Sequence, residues 1–399
     1  MIDIDQYLSS QAERFEADLC ELLRIPSVSA KPEHRADVQQ AAQWLAERFR
    51  QMGLKSEVVA TEGHPLVIAE SAPVAGAPTV LVYGHYDVQP VEPVEKWTAP
   101  PFEPTRRDGN LYARGATDDK GQMLTHVLSA EAWLKCRGSL PLNLKYVIEG
   151  EEEVGSHGLE KYLADHADRL AADCVVISDG AQFAPGVPAI CYGLRGIAYY
   201  ELRLTGPNRD LHSGSFGGSV TNPANALARM LAGLVDAQGR VTIPGFYDDV
   251  APMTDRERQM LAELPFDEAE YLRQVGVAGT SGEKGYSVLE RRWARPTYDV
   301  CGLWAGYEGE GAKTVLPASA GAKISFRLVP NQVQAKITSG LTRRLRELCP
   351  PGIEMELVDL HGSPGVLVSL ESPYVDAAGR AIEHAFGRPP VFTREGGSI

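Results

Sequence analysis

The chain has 399 residues, of which 44% are hydrophobic and 23% charged, enough apolar content for two buried cores and too much for a disordered chain. Its 39 Lys and Arg stand against 53 Asp and Glu, and the resulting net charge of -14 argues against nucleic acid or anionic lipid as the main partner. The opening MIDIDQYLSS has neither a basic stretch nor a long apolar run, no apolar run could span a bilayer, and six cysteines are scattered without a C-x-x-C pair; a cytoplasmic protein with reduced thiols and no membrane association is expected.

In chain order, Val38, Ala41, Trp44, Leu45, Phe49 and Met52 recur at helical spacing, and Gly53 is placed to end that helix. The apolar, β-branched run Thr79–Tyr83 reads as a buried strand, followed by Gly84-His85-Tyr86-Asp87. A helix is expected over 123–136, preceded by the glycine-flanked pair Asp118-Asp119, and a strand over 142–148 runs into Glu149-Gly150-Glu151-Glu152-Glu153. A further buried strand over 173–178 ends at Asp179. This alternation predicts an α/β catalytic domain with a mainly parallel central sheet flanked by helices, in the first segment 1–191. From 192 to 362 the texture changes: a half-exposed strand over 196–205, a helix over 222–235, a polar stretch from 244 to 297 without clear pattern, a strand over 323–329, a helix over 333–348 and a strand over 353–360. That order suggests an inserted α+β unit, with 363–399, including a helix over 375–386, returning to the first domain.

The chemistry-bearing residues cluster after the strands. Alternate residues share a strand face, so His85 and Asp87 point together, with Asp87 able to orient an imidazole that binds metal. H-x-D alone is equally satisfied by a surface histidine and a turn aspartate. Asp118 and Asp119 could cap the following helix or hold cations. The run Glu151–Glu153 after an apolar strand sets carboxylates close together, which is costly without a counter-cation. Asp179 could be a turn former. Four such loops converging on strand ends, with imidazole and carboxylates but no thiolate, suit zinc or manganese.

IPSVSA (25–30), GHYDVQP (84–90), ARGATDDKG (113–121), EGEEEVGS (149–156), ISDG (177–180), YGLRG (192–196), DLHSG (210–214), FRLVPN (326–331) and REGGS (394–398) resemble, in order and spacing, the M20 metallopeptidases, and most of all their cytosolic nonspecific dipeptidase and carnosinase branch. The resemblance implies two divalent ions per subunit, Zn2+ or Mn2+, with His85 and Asp179 on one, Glu153 on the other and Asp118 between them. It implies Glu152 as general base, Asp87 as the partner of His85, and a cis peptide between Asp118 and Asp119. The inserted unit becomes a ferredoxin-like lid that also forms a homodimer. His212 is then the oxyanion donor supplied to the partner subunit's site, Arg327 the clamp on the substrate carboxylate, and Thr314 and Ser398 further substrate contacts. On sequence alone, His212 reads as a loop histidine and Arg327 as a strand surface residue.

The family pattern continues past REGGS to a last histidine ligand for the metal held by Glu153, whereas this sequence stops at Ile399. Either this sequence omits a C-terminal segment or the polypeptide is truncated; in the second case weak occupancy of that metal position and poor turnover are expected. The activity implied is hydrolysis of dipeptides or small peptides by metal-activated water. The alternatives are deacylation of N-acyl amino acids on the same scaffold and a catalytically silent peptide-binding homologue. No G-x-S-x-G or P-loop pattern competes with these readings.

Overall fold

The run read as a strand at Thr79–Tyr83 lies inside a five-stranded sheet. The computed structural model describes residues 3–397, and the chain divides into two units, Met1–Ala181 and Gln182–Ile399. The first contains α1 (Ile4–Ser10), α2 (Ala12–Leu23), α3 (Arg35–Gln51), β1 (Lys55–Val59), β2 (Leu66–Glu70), β3 (Thr79–His85), β4 (Thr105–Arg107), β5 (Asn110–Tyr112), α4 (Lys120–Arg137), β6 (Asn143–Glu149), α5 (His157–Leu170) and β7 (Cys174–Ile177). The sheet order is β1-β2-β6-β3-β7. β3 runs parallel to β6 and β7, but β1–β2 and β2–β6 are antiparallel. The sheet is thus mixed rather than mainly parallel, because β1 and β2 are near enough in sequence to fold back on each other without a crossover helix.

Alternate residues of β2 serve opposite faces of the sheet. Val67 and Ala69 join a cluster with Leu45 and Phe49 of α3 and Val127 of α4, while Leu66 and Ile68 join Leu159 and Tyr162 of α5. The helical stripe of α3 is buried at Val38, Ala41, Leu45 and Phe49, and the chain leaves the helix through Gly53 at φ 88°. β7 corrects one expectation. It is not a buried strand but a sheet edge paired with β3, and Val175 and Ile177 are 53% and 47% exposed. An edge strand has one hydrogen-bonded neighbour and can leave a face open. What matters for the site is that β3, β6 and β7 are parallel, so the residues after all three strands leave the sheet at the same edge.

The second unit contains β8 (Ala189–Leu194), β9 (Gly196–Thr205), β10 (Leu211–His212), α6 (Ser213–Phe216), α7 (Pro223–Ala232), α8 (Asp255–Ala262), α9 (Glu268–Val275), α10 (Val288–Trp293), β11 (Thr297–Ala305), β12 (Val315–Leu316), β13 (Ser319–Leu328), α11 (Gln334–Leu348), β14 (Glu354–Ser363), β15 (Val366–Leu367), α12 (Pro373–Phe386) and β16 (Val391–Glu395). An antiparallel sheet in the order β11-β13-β9-β14 turns Tyr200, Leu202 and Leu204 of β9 and Ile324 and Phe326 of β13 into a core with Leu227 of α7 and Leu341 of α11. Tyr199, Glu201 and Arg203 alternate with these and stay partly or fully exposed. A separate sheet, β15-β8-β16, joins the end of the first sequence segment to the last strand of the chain.

The unpatterned stretch from 244 to 297 becomes three helices of six to eight residues. Two start with capping boxes, Thr254 with Glu257 and Ser287 with Glu290. Elements this short give little periodicity, but the T-x-x-E and S-x-x-E spacings were the readable signal. Leu261, Leu264, Leu289 and Trp293 hold the stretch together as a small core. Among the described residues no helix is long and apolar enough to cross a membrane, and all six cysteines are free.

Candidate metal centre

His85 ends β3, Asp118 lies in the turn before α4, and Asp179 follows β7. His85 Nε2 is 3.1 Å from Asp118 Oδ1 and 3.5 Å from Asp179 Oδ2, and one ligand atom from each of the three lies within 4.8 Å of the others. Behind the ring, His85 Nδ1 is 3.1 Å from the Asp87 carbonyl and 3.3 Å from Asp87 Oδ1. The buried Asp87 carboxylate also accepts the Glu152 N–H at 3.3 Å and the Glu153 N–H at 3.2 Å. One carboxylate therefore orients the imidazole and anchors the acidic turn after β6.

Asp119 occupies the first position before α4, yet its side chain makes no capping bond; its Oδ2 accepts the His85 N–H at 3.2 Å. The capping alternative is corrected for Asp119 by that bond, and the Asp118–Asp119 peptide is cis. Close approach here requires Gly84, because a Cβ at that position would lie 2.6 Å from Asp119 Oδ2. Glu153 stands apart from the trio: its Oε2 accepts from Gln89 Nε2, and its Oε1 is buried without a hydrogen-bond partner.

The electrostatics are those of anions held close together. Burial disfavours the charged imidazole of His85, but hydrogen bonds to Asp118, Asp179 and Asp87 hold its pKa well above the ordinary value. Asp118 is lowered, first by its hydrogen bond with His85. Burial pushes Asp119 up to about 7, with Asp179 adding to the effect against the pull of His85. Glu152 is likewise pushed up to about 7 by burial and by the charges of Glu153, Asp87 and Asp179, while His85 opposes. Glu153 is raised, mainly by burial. These residues fit a divalent cation. His85 Nε2 faces the Asp118 and Asp179 carboxylates, Glu153 Oε1 is buried with no hydrogen-bond partner among the described residues, and imidazole with carboxylates is a donor set for zinc or manganese.

The substrate candidates lie in the second unit. His212 on β10 and Thr314, just before β12, meet through a 3.2 Å contact between Nε2 and Thr314 Oγ1. Gly214 N–H donates to His212 Nδ1 at 3.1 Å, which assigns the proton of a neutral ring to Nε2. Arg327 sits half-buried on β13, and its guanidinium has no hydrogen bond or ion pair among the described residues. Ser398 lies outside the described residues.

Residues 81–399 match Peptidase family M20/M25/M40. The chain belongs to this family. The M20 chain is 32% identical to a Cys-Gly metallodipeptidase of Schizosaccharomyces pombe over 99% of its own length and 86% of the relative's. Among solved structures it is similar to an M20 family metallo-carboxypeptidase from Sulfolobus solfataricus, with 35% identity and a TM-score of 0.84 over 96% of this chain and 86% of that one. It is also similar to human carnosine dipeptidase 1, with 31% identity and a TM-score of 0.81 over 99% and 87%. The M20 metallopeptidases use divalent metals, and this M20 chain carries a potential site for one.

Two polar residues of the M20 site were not singled out in the sequence. Gln89 donates to Glu153, and the fully buried Glu149 accepts from Tyr83 Oη at 2.7 Å and Ser156 Oγ at 2.9 Å, holding the start of the acidic turn. Gln89 lies inside the GHYDVQP run and was readable as a polar residue among apolar neighbours. Glu149 opens the acidic run, and the sequence does not set it apart from the acids that follow.

Proposed function

We propose that this chain is a metal-dependent dipeptidase, in which water cleaves the peptide bond with Glu152 as general base. The observation that carries this reading is the meeting of His85, Asp118 and Asp179 at the edge where β3 and β7 end. His85 and Asp179 would hold one divalent ion, Zn2+ or Mn2+, and Glu153 a second, with Asp118 shared; such ions would supply charge that polarises the carbonyl and acidifies water. Asp87 fixes the His85 ring with Nε2 toward the carboxylates and holds the backbone of Glu152 and Glu153. Glu152, on the turn so anchored, takes the proton of the attacking water and passes it to the leaving amine.

In the same reading Arg327 pairs with the substrate's C-terminal carboxylate, a role its unpaired guanidinium supports. The Nε2–H of His212, supplied to a second copy's site in a homodimer, donates to the oxyanion, and Thr314 and Ser398 add hydrogen bonds to substrate. Residues 192–362 form the lid and dimer-forming unit. The succession β9, α7, β11, β13, α11, β14 supports a ferredoxin-like arrangement. Residues 363–399 return to the catalytic domain begun by 1–191; the pairing of β8 with β15 and β16, outside the four-stranded sheet, supports this. Six free cysteines are in keeping with the cytoplasm.

The test is activity on a panel containing Cys-Gly, β-Ala-His and neutral dipeptides, beside acetylated and succinylated amino acids, after chelation and readdition of zinc or manganese. Metal-restored dipeptide cleavage supports the reading. Cleavage of the acyl amino acids alone replaces it with a deacylase, and binding of dipeptides without cleavage replaces it with a silent homologue.

A further inference from the structure

Besides Arg327, the second unit holds another guanidinium that has no carboxylate within ion-pair distance among the described residues. Arg195, between β8 and β9, is 8% exposed. Its Nε donates to the Gly396 carbonyl at 3.2 Å, and its Nη1 reaches the Arg295 carbonyl at 3.2 Å and Thr297 Oγ1 at 3.4 Å. Thr297 is the register partner of Arg327 across β11 and β13, so Arg195 reaches the residue that lies beside Arg327 in the sheet. All of Arg195's hydrogen-bond partners are neutral oxygens, and its Nη2 has none among the described residues. Burial and the nearby charges of Arg327 and Arg292 lower Arg195 to about 10, with Asp299 opposing. In a chain of net charge -14, two like charges left together without a bound carboxylate mark a place where an anion is missing.

We propose that Arg195 is a specificity-determining partner of Arg327, its buried guanidinium completing a two-arginine site for the carboxylate of a small substrate. The proposal rests on the dipeptidase reading for the identity of that substrate, but the anion site itself does not. A carboxylate lying between the two guanidinium groups would offset both charges at once, so affinity for that group depends on both. Arg195 also holds Gly396, which ties the site to the end of β16.

Alanyl-glycine and alanyl-glycinamide are compared as substrates of the metal-loaded wild type and of Arg195→Met and Arg195→Lys. The expected result is a rise in KM for alanyl-glycine of about 10-fold or more in Arg195→Met, little change for the amide, and partial recovery in Arg195→Lys. Equal losses on both substrates, or none, overturn the proposal. If the wild type cleaves neither, the dipeptidase reading has failed. The site is then decided by titrating N-acetylglycine and N-acetylglycinamide calorimetrically: binding of the acid alone, lost in Arg195→Met, sustains it, and any other result overturns it. Should Arg195→Met fail to fold, wild-type protein with 15N-labelled arginine is titrated with N-acetylglycine. Movement of both guanidinium signals sustains the proposal, and stationary signals overturn it.

Discussion

The acidic edge of the first unit and the open sheet face of the second handle charge in opposite ways. Around His85, carboxylates from three strand ends and one helix start are packed until burial and mutual repulsion push Asp119 and Glu152 up to about 7. Around Arg327, a cation has no ion pair among the described residues and lies near another cation. Each region gathers charge of one sign, negative in the first and positive in the second, and each adjoins a sheet that is packed into a core. The difference lies in backbone geometry. Parallel strands deliver several loops to one edge, while an antiparallel sheet presents a row of side chains across its face.

The sharpest way to break the comparison is Glu152→Ala, expected to lower kcat by about 10²–10⁴ with metal content, read by elemental analysis, unchanged. Loss of metal along with activity would make Glu152 a ligand instead. Next in size is Phe326→Ala. This fully buried ring packs with Tyr200 and Phe246, and its removal is expected to cost about 3–5 kcal/mol in denaturant unfolding while metal uptake by the folded protein is retained. If metal uptake fell equally, the two regions would not be independent. Arg327→Met is expected to raise KM for free-carboxylate dipeptides by about 10–100-fold, again without metal loss, as initial-rate kinetics will report.

The smallest effect concerns His126, half-buried in the first unit with Nε2 2.7 Å from Ser178 Oγ. Burial lowers its pKa from the ordinary 6.5. The folded state therefore binds fewer protons than the unfolded chain, so stability is full above 6.5 and falls as pH drops below it. His126→Gln is expected to flatten that slope by up to about 1.4 kcal/mol per pH unit, measured as the difference in urea midpoints between the two proteins from pH 7.5 to 5.5.

Much of the fold was readable wherever an element was long enough to show its period. α3, α4, α7, α11 and α12, and the strands β3, β6, β9, β13 and β14, lie where hydrophobic spacing placed them, with ends moved by a few residues. β1, β2 and β11 were not read: the first two are short, and β11 mixes exposed and half-buried positions with no clean alternation. β7 was misjudged because Cys174–Ile177 is apolar in the manner of a buried strand, and composition does not say how many neighbours a strand has.

At the site, sequence alone determined which side chains leave the strand ends, since an apolar, β-branched run must enter the sheet and the polar residues after it must leave. His85, the run Glu151–Glu153 and Asp179 stood out for that reason and Asp118 as an acid just before a helix, while their separate roles came from the family resemblance. Only the tertiary structure decided that His85, Asp118 and Asp179 meet while Glu153 turns to Gln89, that Asp119 braces β3 instead of capping α4, and that Arg195 lies beside the register partner of Arg327. Those contacts join residues far apart in the chain. They depend on strand order and register, which local spacing does not encode.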